Sequence, residues 1–427
     1  MEISVDAERL RADIERTGAF GAVETTEGHG RTVLAGTEPN RRAREYLCEQ
    51  FDAAGLTTTV DAVGNVAGTW TPASADPDAA PVAVGSHLDS VPEGGIFDGP
   101  LGVYAGLEAV RALQDAGVEP TRPITVVSFT EEEGQRFADG LLGSSVAVGH
   151  RSVAEALALE DDDGVTLETA LSEIGFRGEG LLAPSEWDAW FELHVEQDTV
   201  LETAGVPVGV VTTITGITHC EATLRGEANH AGATGMDDRT DALAAAAEFV
   251  SAVERAATEV VATDSESAVG TVGSLDVAPN ATNVVPGTVT AGVDVRDVER
   301  ESMERIVARA RETLARLERE RGVETSFERP FDLDPTPMSD RLRRAAHDAG
   351  AQAGLETLDL HSGAAHDTMH VADATDAALL FAPSRDGISH NPLEWTDWDD
   401  CAAATRVLAG ALADAAGASR DGSQGGT

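Results

Sequence analysis

At 427 residues and 42% hydrophobic content, the chain is long enough for two domains and apolar enough for ordinary cores. Its 75 acidic residues face 30 basic ones, all of them arginine, for a formal charge of −45. Without a lysine it can form neither a lysine Schiff base nor a P-loop, and so negative a chain repels nucleic acid. Charge of this density keeps a protein soluble at the cost of self-repulsion, which salt screens, so the composition reads as halophilic. Three scattered cysteines, Cys48, Cys220 and Cys401, suit neither a disulfide framework nor a zinc ribbon. The N-terminal stretch is charged, with no apolar signal core. No apolar run reaches the roughly 18 residues of a membrane span, so the expected location is cytoplasmic, with no membrane partner.

In chain order, VAVGS at 82–86 is the first run that reads as a buried strand. The loops after it carry His87, Asp89 and Asp98, with Gly94, Gly95, Gly99 and Gly102 permitting tight backbone paths around Asp98. LGVYAGLEAVRALQDAG has helical spacing and ends in glycine, and ITVVSFT at 124–130 is a second buried strand. This βαβ order predicts an α/β fold with a mostly parallel sheet. FTEEEGQRF puts Glu131, Glu132 and Glu133 at the end of the second strand, ALEDDDGV at 158–165 reads as a solvated acidic loop, and AWFELH at 189–194 is a third strand ending in His194.

From 208 the texture changes. VGVVTTITGITHCEATLRGEA alternates like antiparallel strands, the alanine-rich helix DALAAAAEFVSAVERAA follows, and SAVGTVGSLDV, GTVTAGVDVRDV and SMERIVARARETLARLERE add two strands and a helix. That order predicts an inserted α+β, ferredoxin-like domain, suited to act as a lid and as a dimer seam. The expected organisation is a catalytic domain in two parts, 1–212 and 329–416, an inserted domain over 213–328, and a disordered tail over 417–427.

Histidine and carboxylates packed this closely suit divalent metal ions. Open α/β sheets bind ligands at the carboxyl ends of their strands, and all three strands end in potential ligands: His87, the glutamates 131–133, and His194. Three buried carboxylates in a row repel one another severely without a cation. ISHNPLEW adds His390, with Pro392 and Glu394 behind it. A two-metal site has ions about 3.5–4 Å apart, and this set supplies enough ligands for one. The residue chemistry does not choose which of the three glutamates is a ligand.

GSHLDSVPEGGIFDGPLGVYAGLE, FTEEEGQRF, HVEQ, GEANHAGAT, PNATNVVPG, DVR, SGAAHD and SHNPLE occur in this order between Gly85 and Glu394, and the resemblance they carry runs from about residue 5 to about residue 415. The chain resembles the N-carbamoyl-L-amino-acid hydrolases, allantoate amidohydrolases and β-ureidopropionases, a branch of the dinuclear-zinc aminoacylase/carboxypeptidase clan. The resemblance implies a metal-dependent amidohydrolase cleaving a linear, non-peptide C–N bond. An N-carbamoyl-L-amino acid is the first substrate class, allantoate and N-carbamoyl-β-alanine are the near alternatives, and a dipeptidase or aminoacylase activity is the distant one.

The resemblance also implies roles. His87, Asp98 and His194 hold one ion; Asp98, Glu133 and His390 hold the other, with Asp98 bridging. Zinc is the default metal, and manganese, cobalt or nickel also suit such ligands. Asp89 orients His87, and Glu132 is the general base. His230 reaches across a homodimer to the oxyanion, while Asn283, Arg296, Gln197 and the backbone at Gly363 seat the substrate carboxylate. His366 and Asp367 match a family motif without an implied role, and the remaining histidines are given none. Asp198, Ala233, Gly235 and Ala365 depart from the family pattern, which leaves substrate preference open.

Overall fold

The computed structural model describes residues 3–418, so the expected tail lies, from residue 419 on, outside the described residues. The described residues form two compact units, one of 3–212, 338–360 and 365–418, the other of Thr213–Pro337 and His361–Ala364. The first unit is built on a sheet of β1 (Thr57–Val60), β2 (Val66–Trp70), β3 (Val82–His87), β4 (Ile124–Phe129), β5 (Ala189–Val195) and β6 (Val208–Ile214), completed by two late strands. The second unit contributes β7 (Gly216–Arg225), β8 (Asn229–His230), β9 (Val269–Ala278), β10 (Val284–Val285), β11 (Thr288–Asp297), β12 (Glu324–Leu333) and β13 (Thr336–Pro337). The late strands of the first sheet are β14 (Thr357–Ser362) and β15 (Ala377–Ala382).

In the first unit the order is β1-β2-β4-β3-β5-β15-β6, with β14 also pairing β6. The four central strands β4, β3, β5 and β15 run parallel, and antiparallel pairs flank them on both sides. Every residue of β3, β4, β5 and β15 is buried, because helices cover both faces. That is why these strands read as continuous apolar runs rather than alternating ones. The parallel register sets His87 beside Phe129 on β4 and His194 beside Phe381 on β15, so the neighbouring strands stop at one level.

The helix Pro100–Asp115 packs against β3 and β5. It follows Gly99, starts with proline at its first turn, and buries its first fourteen residues, from Pro100 to Leu113. Its buried charges are paired: Glu108 accepts from Arg9 at 2.6 Å, and Arg111 meets Asp13 at 2.6 Å.

The second unit has a four-stranded antiparallel sheet in the order β12-β7-β11-β9, with the helices Ala242–Thr263 and Arg300–Arg321 packed on it. Along the chain this is a βαββαβ arrangement. β11 alternates buried and half-buried residues because only one face of the sheet is covered. The unit extends to Pro337, later than the 328/329 boundary read from the sequence, because β12 is one of its four sheet strands. Among the described residues no helix is long and apolar enough to cross a membrane.

Gly102 marks the tightest point between the central helix and the sheet. A Cβ there stands 2.3 Å from the Leu193 carbonyl oxygen and 2.7 Å from Ser86 Cβ. Alanine gains about 1 kcal/mol of helix propensity, but such overpacking costs about 1–3 kcal/mol and pushes on the strand that carries His194. Gly102→Ala is therefore expected to lower the Tm in thermal denaturation. A Tm equal to or above the parent's contradicts this packing.

Candidate metal centre

His87 closes β3 and is buried. Its Nε2 lies 3.4 Å from Asp98 Oδ1 and 3.6 Å from Glu132 Oε2, without a hydrogen bond to either. His194, near the end of β5, puts its Nε2 3.2 Å from the same Asp98 oxygen. On the other side of Asp98, His390 Nε2 stands 3.5 Å from Oδ2 and 3.4 Å from Glu133 Oε2. The two oxygens of Asp98 thus face two different sets of donors. Among the described residues the groups able to hold a metal ion are His87–Asp98–His194, Asp98–Glu133–His390 and His87–Glu132–Glu133.

The spacing itself fits a cation. Ligand atoms each about 2.0–2.2 Å from a tetrahedral ion lie about 3.4 Å from one another. The separations around Asp98 are 3.2–3.5 Å, wider than a good hydrogen bond and right for ligands sharing an ion. His87 Nε2 and Glu133 Oε1 are buried without hydrogen-bond partners. Buried polar atoms are rarely left so, and a metal ion satisfies them.

The electrostatics agree. Burial, then Asp98, pushes Glu133 up to about 8, and burial with the Glu133 and Asp367 charges raises Glu132 well above the usual carboxylate range. Burial opposes charge on Asp98, yet His194 and His87 hold its pKa well below the ordinary value. Burial likewise opposes charge on His194, but Asp98 raises it to about 9. A cation placed among these groups reverses that pattern, leaving carboxylates ionised and imidazoles neutral.

The three consecutive glutamates separate by backbone geometry. Glu131 has φ +56°, and its Oε1 accepts the amides of Arg136 at 2.6 Å and Phe137 at 2.8 Å. It closes its own loop and belongs to none of the three groups, whereas Glu132 and Glu133 face the histidines. Arg136 is in turn held by Asp161, so the acidic loop at 158–165 does more than meet solvent. Gln197 and His390 also adopt left-handed backbone, at φ +62° and +53°. Strained non-glycine residues of this kind gather at functional sites.

Asp89 supports the centre differently from expectation. His87 Nδ1 lies 3.2 Å from the backbone carbonyl of Asp89, while the Asp89 carboxylate, 3.8 Å away, instead accepts the Glu133 amide at 3.1 Å. Gln197 donates its amide to Asp98 Oδ2 at 3.0 Å and to Ser389 Oγ at 3.2 Å, leaving its buried Oε1 without a partner. Gly99, at φ +83°, is required where the central helix starts: a Cβ there stands 2.6 Å from the His87 ring.

Other residues with no assigned role in the sequence also converge here. Glu394 Oε1 accepts the amides of Phe97 and Asp98, each at 3.0 Å, and its Oε2 lies 2.8 Å from Ser389 Oγ. It ties the His390 loop to the Asp98 loop. The buried His366 packs edge-on against the His194 ring at 4.6 Å. Asp367 is fully buried next to it, and burial with the Glu192 charge raises its pKa well above the usual range.

The remaining predicted residues lie in the second unit. His230 ends the short β8, which pairs with β10 just after Asn283. Gly232 N–H donates to His230 Nδ1 at 3.1 Å, which places the neutral ring's proton on Nε2. Arg296 donates Nε and Nη2 to Asp294 and Nη1 to the Gly363 carbonyl at 2.8 Å.

The sequence pattern described as peptidase family M20/M25/M40 matches residues 83–414. The chain belongs to that family. It is 40% identical over 401 residues to the N-carbamoyl-L-amino acid amidohydrolase of Geobacillus stearothermophilus, covering 92% of this chain and 95% of that protein. It is 33% identical to the allantoate amidohydrolase of Bacillus subtilis, covering 90% and 91%. The solved structure of a hydantoinase/carbamoylase family amidase from Burkholderia multivorans matches with a TM-score of 0.90 at 36% identity, covering 97% and 98%. The family that the motifs resemble is thus the one to which the chain is similar along its length.

The pKa shifts predict the behaviour of this M20-family protein once chelated. Glu133 is raised from 4.5 to about 8 and His194 from 6.5 to about 9. A pKa raised by folding gives stability that is present at low pH and lost as pH climbs through the folded value. Both groups act in the same direction, so the Tm of the metal-free protein is expected to fall between pH 6.5 and 9. With metal bound, the fall is expected to be much smaller. A metal-free Tm that rises over this window in a thermal scan contradicts the assignment.

Proposed function

We propose that the protein is a metal-dependent amidohydrolase that cleaves an N-carbamoyl-L-amino acid to the amino acid, carbon dioxide and ammonia. The observation that carries this reading is the pair of ligand groups sharing Asp98, with the Glu132 carboxylate beside them. The similarity to N-carbamoyl-L-amino-acid amidohydrolases supports the substrate class. Similarity to an allantoate amidohydrolase keeps allantoate as the alternative, since both substrates join a ureido carbon to a carboxylate.

In this reading His87, Asp98 and His194 hold one divalent ion and Asp98, Glu133 and His390 the other, zinc by default, with manganese, cobalt or nickel also compatible. Two such ions, when bound, would supply Lewis acidity and bring the pKa of water toward 7. Glu132 takes a proton from the attacking water and returns it to the leaving nitrogen, a role that its carboxylate, 3.6 Å from His87 and beside the ligand groups, is placed to fill. Asp89 fixes the Glu133 amide and the His87 ring. The Nε2–H of His230 stabilises the oxyanion of the tetrahedral intermediate. His230 is exposed, and we assign its partner site to a second copy of the chain in a homodimer joined through the inserted domain. Arg296, with Asn283 and the Gly363 backbone, receives the substrate carboxylate, and the unpartnered Oε1 of Gln197 accepts a substrate N–H. The formal charge of −45 supports a halophilic, cytoplasmic protein, whose stability rises with salt.

Steady-state kinetics on N-carbamoyl-amino acids, N-carbamoyl-β-alanine, allantoate and dipeptides, with metals returned to chelated enzyme, test the reading. Chelation is expected to abolish turnover and a divalent ion to restore it, with N-carbamoyl-L-amino acids preferred; turnover unaffected by chelation refutes it. Glu132→Gln is expected to retain metal and lose about 10²–10⁴-fold in kcat. Near-parental kcat in that variant removes Glu132 from proton transfer. Arg296→Ala is expected to raise KM far more than it lowers kcat, and an unchanged KM excludes it as the carboxylate anchor.

A further inference from the structure

Arg31 is 0% exposed. Its donors go to backbone carbonyls: Nε to Gly95 at 3.0 Å, Nη1 to Leu88 at 3.1 Å, and Nη2 to Asp89 and Asp98, both at 3.2 Å. Its own amide donates to the Gly94 carbonyl at 2.9 Å. Every one of these acceptors belongs to the stretch between His87 and Asp98. Nothing in the local sequence HGRT signals this role.

A buried guanidinium with only carbonyls as acceptors is costly, because carbonyl dipoles do not cancel a full charge. Burial does lower the pKa of Arg31, opposed by the nearby charges of Asp98, Glu394, Asp89 and Glu133. Those carboxylates surround the candidate metal centre, so the cation sits where negative charge is most crowded. The planar fork also suits the geometry, since three nitrogens reach both limbs of one loop at once. A lysine offers a single nitrogen and cannot reproduce this.

We propose that Arg31 is a positioning residue of the metal centre: its fork holds the loop Leu88–Asp98 in its ligand-bearing shape before any metal binds, and metal affinity depends on it. The proposal rests on the metal-centre reading above. Glu394 grips the same loop from the opposite polarity, through the amides of Phe97 and Asp98. The loop is therefore clamped by its carbonyls on an arginine and by its amides on a carboxylate.

The test compares chelated parent, Arg31→Lys and Arg31→Met by calorimetric titration with Zn²⁺ and by amide hydrogen exchange of the metal-free proteins. Arg31→Lys keeps the charge and loses the fork; it is expected to bind Zn²⁺ about 10–100-fold more weakly. Exchange is expected to quicken at Gly94, Phe97 and Asp98 and to stay slow in β3 and β4. Parental Zn²⁺ affinity, or exchange quickened evenly through the core strands, overturns the proposal. A parent that binds none of Zn²⁺, Mn²⁺, Co²⁺ and Ni²⁺ refutes the metal-centre reading, while the exchange comparison still reports on the loop. If neither variant folds, the metal-free parent decides: protection of Phe97 and Asp98 kept after chelation supports the clamp, and protection lost on chelation overturns it.

Discussion

The repulsion among buried carboxylates around Asp98 is the constraint on which the rest of this structure depends. Most of the chain's negative charge meets water, where solvent and salt screen it. Asp98, Glu133, Glu132 and Glu394 instead stand together out of solvent, and burial with mutual repulsion holds the last three above the usual carboxylate range. A fold keeps such an arrangement when a cation is part of its working state and when the surrounding backbone cannot move to relieve it.

The scaffold supplies that rigidity. The central parallel strands are buried throughout, and their register sets His87 and His194 at the same end of the sheet. The helix that begins at Gly99 packs hard against this end, and the loops bearing Asp98 and His390 are tied together by Glu394 and Ser389. At the rim Glu131, Gln197 and His390 hold left-handed backbone. The second unit offers the opposite chemistry: an exposed imidazole with a free Nε2–H and an arginine already steadied by Asp294 and Gly363.

Much of this was legible in the sequence, for physical reasons. Buried parallel strands read as short apolar runs, and ligands at their carboxyl ends follow from the architecture, so His87 and His194 were visible. Asp98 announced itself through its glycines. The choice among Glu131, Glu132 and Glu133 was not legible from residue chemistry, because it depends on the turn at Glu131 and the amides of Arg136 and Phe137. The bond from Gln197 to Asp98, the distance between Asp89 and His87, and the grip of Arg31 and Glu394 on backbone atoms leave no mark on spacing or composition. Backbone recognition by a distant side chain carries no motif, since any residue presents the same carbonyl and amide. The end of the second unit leaves little mark on the sequence for a related reason: β12 alternates half-buried and exposed residues along its length and lacks an apolar run.

The central claim is that Asp98 serves two ions at once. Metal titration of the chelated parent and of Asp98→Asn, read as ions bound per chain, tests it most directly. Two ions on the parent and the weakening of both sites together in Asp98→Asn is the predicted result. A single ion on the parent, or loss of one site in Asp98→Asn with the other left at full affinity, contradicts it.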